Sequence, residues 1–390
     1  MTTETSLIAN WGMPNRILVG PDRLKELPAL CQELGFKSPL LVTDRGLAGL
    51  PMVTNTLAAL TNAGLGAALF ADVEGNPTGP MVEAGVTAYR KGGHDSVVAL
   101  GGGSGLDVGK AIAFMSGQTR PIWDFEDIGD YWTRADAKGI APVIAIPTTA
   151  GTGSEVGRAS VIANEAEHRK IIVFHPKMLP VAVILDPKVT TALPPHITAA
   201  TGLDAFIHSF EAYCAPGFHP ICEGIALEGM RLVSASLPIA YKDGTNLEAR
   251  TKMLTAASMG AIAFQKGLGG VHAISHAVGA MYNTHHGLTN AVVLPYIMVH
   301  NRASIEHRMV PVAQAVGLQD TSFDALLQWV LDFRRELGIP HTLAEIDVPD
   351  DQADEVGRLA AVDPSAGGNP QPLNAAVLTK VFLNAVHGRL

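Results

Sequence analysis

One carboxylate and several histidines at helical spacing give this chain its clearest chemical signal. Asp204 and His208 are four residues apart, and a later segment contains His272, His276 and His286. Residues four apart on a helix share a face, so Asp204 and His208 can converge on one point, and His272 and His276 can do the same from a second helix. Carboxylate and imidazole ligands suit Fe, Zn, Ni or Mn, whereas Mg and Ca prefer oxygen ligands. A single H-x3-H spacing could be coincidence, but two such pairs in Ala-rich helical sequence predict a divalent metal site.

Two loops that follow apolar segments have the composition of a phosphate-binding site. In the first, Gly101, Gly102 and Gly103 stand between a predicted strand and a predicted helix. Glycines there let backbone amides approach an anion, and a helix N-terminus favours negative charge. The loop is neither a G-x-G-x-x-G fingerprint nor a P-loop, so a tight turn without a ligand is the alternative. The second loop, PTTAGTGSE (147–155), adds hydroxyl groups and amides. The two loops together predict a site for a pyrophosphate.

Asp44 ends the apolar segment PLLVTD (39–44). In dinucleotide-binding folds, a carboxylate at such a position accepts hydrogen bonds from ribose hydroxyls and repels a 2′-phosphate. Capping of the next helix explains Asp44 equally well. In the first interpretation, Asp44 favours NAD over NADP.

The order of apolar and helical segments predicts the fold class. In the first half of the chain, short segments such as RILVG (16–20) alternate with helical ones, and they are continuously apolar, as expected for a parallel sheet covered on both faces. Three later segments are also predicted strands, in part antiparallel: 159–163, 170–174 and 181–186. After Pro194 and Pro195 the sequence becomes helical. We therefore expect an α/β N-terminal domain with a mainly parallel sheet at 1–190 and an all-α C-terminal domain at 191–390.

The composition argues against several other classes of protein. The 390 residues carry a formal net charge of −9, and no run of Lys or Arg offers a surface for nucleic acid. No segment approaches the roughly 18 consecutive apolar residues of a membrane span. Three cysteines without a C-x-x-C pair are typical of a reducing compartment, and we expect a cytoplasmic protein.

Taken together, the motifs resemble the iron-containing (group III) alcohol dehydrogenases. The resemblance covers nearly the whole chain, in the family's order, and rests on GNP (75–77), GGGSGLDVGK (101–110), PTTAGTGSE (147–155), LDP (185–187), GLDAFIHSFEAY (202–213), GLGGVHAISHAVGAMYNTHHGLTNAVVLP (267–295) and NPQPL (369–373). It implies a dehydroquinate synthase-like architecture, in which a nucleotide-binding α/β domain at 1–190 and a helical metal-binding domain at 191–390 flank a cleft. It also implies NAD and a divalent metal as cofactors, with Fe²⁺ expected and Zn²⁺ as the alternative, and a homo-oligomer of at least two chains.

The resemblance also assigns roles to individual residues. The expected metal ligands are Asp204, His208, His272 and His286. His276 matches the family's non-ligand histidine near the reacting carbon, often assigned to proton relay, although a buried histidine bonded to backbone is the alternative. The expected cofactor contacts are Asp44, Asn76, Gly102, Gly103, Ser104, Asp107, Thr148, Thr149, Thr152 and Lys170. For Asp107, helix capping and loop bracing explain the residue about as well as ligand contact.

The expected reaction is the interconversion of a primary or secondary alcohol and its aldehyde or ketone by hydride transfer. A hydroxyacid dehydrogenase of the 4-hydroxybutyrate type is one alternative, and a non-catalytic NAD- or metal-binding sensor is another. The complete ligand set argues against a metal-free maleylacetate reductase, and the histidine pattern with PTTAGTGSE argues against a dehydroquinate synthase-like cyclase.

Two positions depart from the family's usual pattern. His285 precedes the last expected ligand and could compete for metal, but adjacent side chains point differently, so His286 is retained. Lys266 could pair with an acidic group on the substrate. We favour instead a solvated lysine at a helix end.

Overall fold

The structure, a computed structural model, describes residues 9–11, 15–167 and 169–390. The chain divides into two compact units. The first comprises Met1–Thr149 and Gly153–Thr191, and the second comprises Ala150–Thr152 and Ala192–Leu390.

The first unit contains nine strands and four α-helices among its described residues. The strands are β1 (Ala9–Trp11), β2 (Arg16–Val19), β3 (Pro39–Val42), β4 (Ala68–Phe70), β5 (Ser96–Gly101), β6 (Val143–Pro147), β7 (Ala159–Asn164), β8 (Arg169–Phe174) and β9 (Ala182–Leu185). The helices are α1 (Leu27–Glu33), α2 (Pro51–Asn62), α3 (Gly79–Lys91) and α4 (Gly103–Met115).

Seven of these strands form one sheet in the order β1-β2-β9-β6-β5-β3-β4. All neighbours in it are parallel except β1, which pairs antiparallel with β2. β7 and β8 form a separate antiparallel hairpin, and β9 returns to the main sheet between β2 and β6. The predicted α/β class with a mainly parallel sheet is confirmed, and β1 is an additional strand.

Both faces of the sheet are covered, which explains why its central strands are apolar throughout. Alternate residues of β5 belong to two hydrophobic cores: Val97 lies in a core with residues of α3 and α4, and Val98 lies in a core with residues of α1 and α2. Side chains along a strand alternate between its faces, so a strand buried on both sides has no polar face. The carboxyl ends of these buried strands carry the loops described below.

The second unit is helical. Its described residues form nine α-helices and several short 3₁₀ helices: α5 (Pro195–Cys214), α6 (Pro220–Lys242), α7 (Leu247–Ala263), α8 (Gly270–Tyr282), α9 (His286–Ile305), α10 (Met309–Ala315), α11 (Phe323–Glu336), α12 (Ala353–Ala361) and α13 (Ala375–His387). Within the described part of the chain, no helix combines the length and apolar character needed to cross a membrane.

The helix α5 is the central element of this unit. It begins at Pro195, where a proline is favourable because the first helical residue needs no backbone N–H donor. Every residue from Thr198 to Cys214 is buried, so α5 is surrounded by other helices. A polar residue on this helix must therefore find its partners inside the protein.

Candidate metal centre and nucleotide-binding loops

Four side chains of the second unit converge on one point. Asp204 and His208 lie one turn apart on α5, His272 lies on α8, and His286 is the first residue of α9. The Nε2 atoms of His208, His272 and His286 lie 3.8, 3.7 and 3.7 Å from Oδ1 of Asp204. The four potential ligand atoms all lie within 4.8 Å of one another. The structure thus brings together the four residues that the family resemblance implies as metal ligands.

The cluster fits a divalent metal in the number, type and spacing of its atoms. Ligand atoms about 2.1 Å from a tetrahedral metal stand about 3.4 Å apart, close to the 3.7 and 3.8 Å separations from Asp204 to the histidines. Asp204, His208 and His272 have side chains no more than 6% exposed. The His286 side chain is 27% exposed and forms the more accessible side of the cluster.

The members of the cluster shift one another's pKa values. Burial alone would raise the pKa of Asp204, but the facing imidazoles hold it far below its usual range. Burial lowers the pKa of His208 to about 4, against the opposing attraction of Asp204. Burial would also lower the pKa of His272, but its contacts with Asp204 and Glu211 raise it to about 9. Of these two rings, His272 therefore holds a proton more strongly than His208.

Three polar residues that the sequence analysis did not identify support the cluster. Glu211 accepts a hydrogen bond from Nδ1 of His272 at 2.6 Å and also binds the backbone amides of residues 269 and 271. The hydroxyl of Ser275 lies 3.1 Å from Nδ1 of His286. The Asn290 side-chain amide donates to Oδ1 of Asp204 at 2.8 Å. By occupying the outer nitrogens of His272 and His286, Glu211 and Ser275 leave Nε2 facing the centre.

Two of these three residues could have been predicted from their helical spacing to the expected ligands. Glu211 stands seven residues after Asp204, two turns further along α5, and Asn290 stands four residues after His286 on α9.

His276 lies beside the cluster and is not one of its four converging residues. Its ring stacks on the ring of His286, with centroids 5.2 Å apart. Its Nδ1 atom is 2.9 Å from Oδ2 of Asp363, a residue missed in the sequence. The partner of Nδ1 is thus a carboxylate and not a backbone group.

In the first unit, the glycine loop has the predicted strand-to-helix arrangement. β5 ends at Gly101, Gly102 is the N-cap of α4, and α4 begins with Gly103 and Ser104. A Cβ atom at Gly101 would lie 3.3 Å from the Cα of Gly105, so the close turn accepts no larger residue without a shift. The backbone amides of the first turn of α4 have no helical acceptor, which makes them available to an anion.

Asp44 lies next to this loop. It follows β3, and its Oδ1 accepts a hydrogen bond from the amide of Leu47 at 3.0 Å, so it does cap the local turn. Its Oδ2 would lie 3.6 Å from a Cβ atom at Gly101. The two interpretations of Asp44 are therefore compatible, because one oxygen serves the turn and the other is near the glycines.

The other expected cofactor contacts fall into three places. Asn76 and Lys170 pair with each other, Nζ of the lysine donating to Oδ1 of the asparagine at 3.0 Å. Thr148 and Thr149 follow β6, and the Thr148 amide donates to the carbonyl of Gly101, so the second loop meets the first. Thr152 belongs to the second compact unit.

Asp107 braces the two loops. Its Oδ1 accepts from the hydroxyl of Ser154 at 2.5 Å and its Oδ2 from the amide of Val161 at 3.0 Å. Lys110, with a side chain only 1% exposed, donates to the carbonyls of Ser154 and Ala159. These contacts favour the bracing interpretation of Asp107 over ligand contact.

The sequence-based prediction that Lys266 is exposed to solvent is wrong. Its side chain is 2% exposed, and its Nζ atom lies 2.7 Å from Oε1 of Glu223, which also pairs with Arg308. Burial requires a counter-ion, and Glu223 supplies it from α6. His285 is the N-cap of α9, its Nδ1 accepting from the amide of Leu288, in agreement with the choice of His286.

The first unit thus combines an α/β fold with a glycine loop, and the second contains a buried carboxylate–imidazole cluster that fits a divalent metal. Two family models match the chain: iron-containing alcohol dehydrogenase over residues 14–187, and the C-terminal domain of the Fe-containing alcohol dehydrogenase family over residues 198–386. The chain belongs to the iron-containing alcohol dehydrogenase family. The predicted family, and the prediction of a metal-dependent NAD oxidoreductase, are thereby confirmed.

Individual relatives differ in the substrate that their names give. The chain is 36% identical to a 4-hydroxybutyrate dehydrogenase of Cupriavidus necator, over 90% of this chain and 92% of the relative. It is 31% identical to an NAD-dependent methanol dehydrogenase of Bacillus methanolicus, over 97% of this chain and 100% of the relative. The solved structure of an alcohol dehydrogenase from Oenococcus oeni superposes with a TM-score of 0.90 at 31% identity, covering 97% and 99% of the two chains.

Proposed function

We propose that this enzyme is an NAD-preferring alcohol dehydrogenase whose metal is held by Asp204, His208, His272 and His286, with Fe²⁺ as the native ion and Zn²⁺ as a substitute. The convergence of four ligand atoms within 4.8 Å of one another carries the proposal. Three neutral imidazoles and one carboxylate leave a divalent ion with net positive charge. Glu211 and Ser275 hold the rings of His272 and His286.

When bound, the metal supplies a Lewis acid for the substrate oxygen and the nicotinamide supplies the hydride acceptor. His276 exchanges the hydroxyl proton, a role supported by its position beside His286 and by the carboxylate of Asp363 next to its Nδ1. An imidazole suits this role because one ring nitrogen can accept a proton while the other donates a hydrogen bond.

The first unit, residues 1–190 in our assignment, would bind NAD, and residues 191–390 would carry the metal and the catalytic groups. Gly102, Gly103 and Ser104 would meet the pyrophosphate at the N-terminus of α4. Asp44 would select NAD through its oxygen near Gly101. The remaining contacts in this proposal are Asn76, Thr148, Thr149, Thr152 and Lys170, with Asp107 acting through the position of the loops.

For the substrate, a primary or secondary alcohol is our first candidate. A hydroxy acid is the second, because the 36% identical relative is named a 4-hydroxybutyrate dehydrogenase. Lys266 gives this second candidate no support, since its ammonium group is already paired with Glu223.

The proposal also covers the cellular compartment and the oligomeric state of the enzyme. We place it in the cytoplasm as a homo-oligomer. The three cysteines support a reducing compartment, because all are buried and unpaired.

A substrate panel tests the proposed function. Purified enzyme, loaded anaerobically with Fe²⁺ or Zn²⁺, is supplied with NAD and with simple alcohols, diols or ω-hydroxy acids of matched length, and NADH absorbance is followed. We expect NADH to form with at least one class and to be absent in the His272→Ala variant. NADH formation in that variant, or none in the wild type across the panel, would contradict the proposal.

A further inference from the structure

The pair formed by His276 and Asp363 joins two parts of the second unit that are 87 residues apart in sequence. Nδ1 of His276 lies 2.9 Å from Oδ2 of Asp363, and the two side chains are only 15% and 14% exposed. The other oxygen of Asp363 has a separate task, because Oδ1 accepts a hydrogen bond from the amide of Ser365 at 2.8 Å. Asp363 is thereby the N-cap of a 3₁₀ helix, Pro364–Gly368. Each carboxylate oxygen therefore has a fixed partner.

We propose that Asp363 is a positioning residue that holds His276 in the tautomer with hydrogen on Nδ1 and a lone pair on Nε2. An ionised carboxylate accepts hydrogen bonds and cannot donate one, so the nitrogen that faces it must carry the hydrogen. Nε2, on the far side of the ring from Asp363, is then left as the proton acceptor for the substrate hydroxyl. This consequence for catalysis rests on the proposed function, whereas the tautomer itself does not.

The ionisation of Asp363 supports this assignment. Burial alone would raise the pKa of Asp363, but the neighbouring His276 and the hydrogen bonds from Ser365 lower it below its usual value. The carboxyl group is therefore ionised at neutral pH. An oriented third group that fixes the ring of a general base is a recurrent arrangement in catalysis.

Asp363→Asn tests this tautomer assignment, because the backbone amide of Ser365 fixes the orientation of the asparagine side chain. That amide needs an acceptor, so the asparagine carbonyl remains with Ser365 and the side-chain NH₂ turns toward His276. Asparagine is as good an N-cap as aspartate, so the 3₁₀ helix is retained. The NH₂ group donates, which forces Nδ1 to accept and moves the ring hydrogen to Nε2.

The first measurement reads the tautomer without any reaction. Nitrogen NMR of the metal-free protein with ¹⁵N-labelled histidine, the His276 signals being assigned by their loss in His276→Gln, separates protonated from unprotonated ring nitrogens. We expect hydrogen on Nδ1 of His276 in the wild type and on Nε2 in Asp363→Asn. The same tautomer in both proteins would overturn the proposal.

The second measurement separates positioning from structural support. In metal-loaded enzyme, Asp363→Asn should lower kcat by about 10²-fold or more, with KM and bound metal little changed. In a His276→Gln background the same substitution should have almost no further effect, because the group that it positions is absent. An undiminished effect in that background would assign Asp363 a structural role and reject positioning.

A matched control is available elsewhere in the chain. His387 and Asp350 form another histidine–carboxylate pair, 3.1 Å apart, with side chains 35% and 52% exposed. Asp350→Asn should leave kcat unchanged. If the wild type shows no dehydrogenase activity, the proposed function fails, while the NMR result still decides the tautomer.

Discussion

His272 lies between two carboxylates, Glu211 on its Nδ1 side and Asp204 on its Nε2 side. Its pKa of about 9 means that the metal-free protein carries a proton on this ring near neutral pH. His208, with a pKa of about 4, is already neutral there. A metal ion needs the Nε2 lone pair of His272, so binding must displace its proton.

Metal binding should therefore release about one proton per ion near neutral pH, and affinity should fall as the pH is lowered below about 9. Calorimetric titration of the chelated protein with Zn²⁺, in two buffers with different enthalpies of ionisation, measures this release. Equal heats in the two buffers would show that no proton leaves.

Asp44 allows a second prediction for a single residue. Asp44→Gly should improve the use of NADP relative to NAD by about tenfold or more, since loss of about 1.4 kcal/mol of repulsion corresponds to a factor of ten. Asp44→Asn retains an acceptor for the Leu47 amide and removes only the charge. The ratio of kcat/KM for the two coenzymes should therefore shift in both variants. A ratio unchanged in both would leave Asp44 as a turn-capping residue alone.

Among the elements, α4 and the two loops are joined by a buried lysine. Lys110 extends from α4 to the carbonyls of Ser154 and Ala159 and lies 3.4 Å from Oδ1 of Asp107. Burial lowers the pKa of Lys110, while the charge of Asp107 opposes this shift. Its hydrogen bonds hold the second loop against the first.

Lys110→Met should destabilise the protein by about 3 kcal/mol or more, because it leaves buried carbonyls and a carboxylate without their cation. The urea midpoint of unfolding measures this loss. Lys188→Met is the matched control, since Lys188 pairs with Asp22 in an exposed ion pair and its loss should change the midpoint little. Equal effects of the two substitutions would mean that the Lys110 network contributes no special stability.

The elements that the sequence predicted well are those with a local physical signal. β5 and β6 are continuously apolar because both of their faces are buried, and this pattern is visible without knowing their neighbours. β1 has only three residues and pairs at the edge of the sheet, so it offers too short a pattern to recognise.

Across the whole molecule, the sequence could not show which side chains pair with each other when they lie far apart in the chain. The four converging residues were found because Asp204 and His208 share a helical face and His272 and His286 lie in a recognisable motif. Asp363 was missed because it stands 87 residues from His276. Lys266 was misjudged for the same reason, since its partner Glu223 is 43 residues away and lies on another helix.

Occupancy of the metal site, measured together with activity, tests the central claim most directly. Chelated protein is titrated anaerobically with Fe²⁺, and bound metal and NADH formation are measured on the same samples, with His272→Ala and His285→Asn in parallel. Asn at position 285 retains the cap of α9, so His285→Asn controls for loss of a neighbouring histidine. We predict that wild type and His285→Asn gain activity in proportion to metal up to one ion per chain, and that His272→Ala gains neither. Metal binding with full activity in His272→Ala, or activity independent of bound metal in the wild type, would contradict the account.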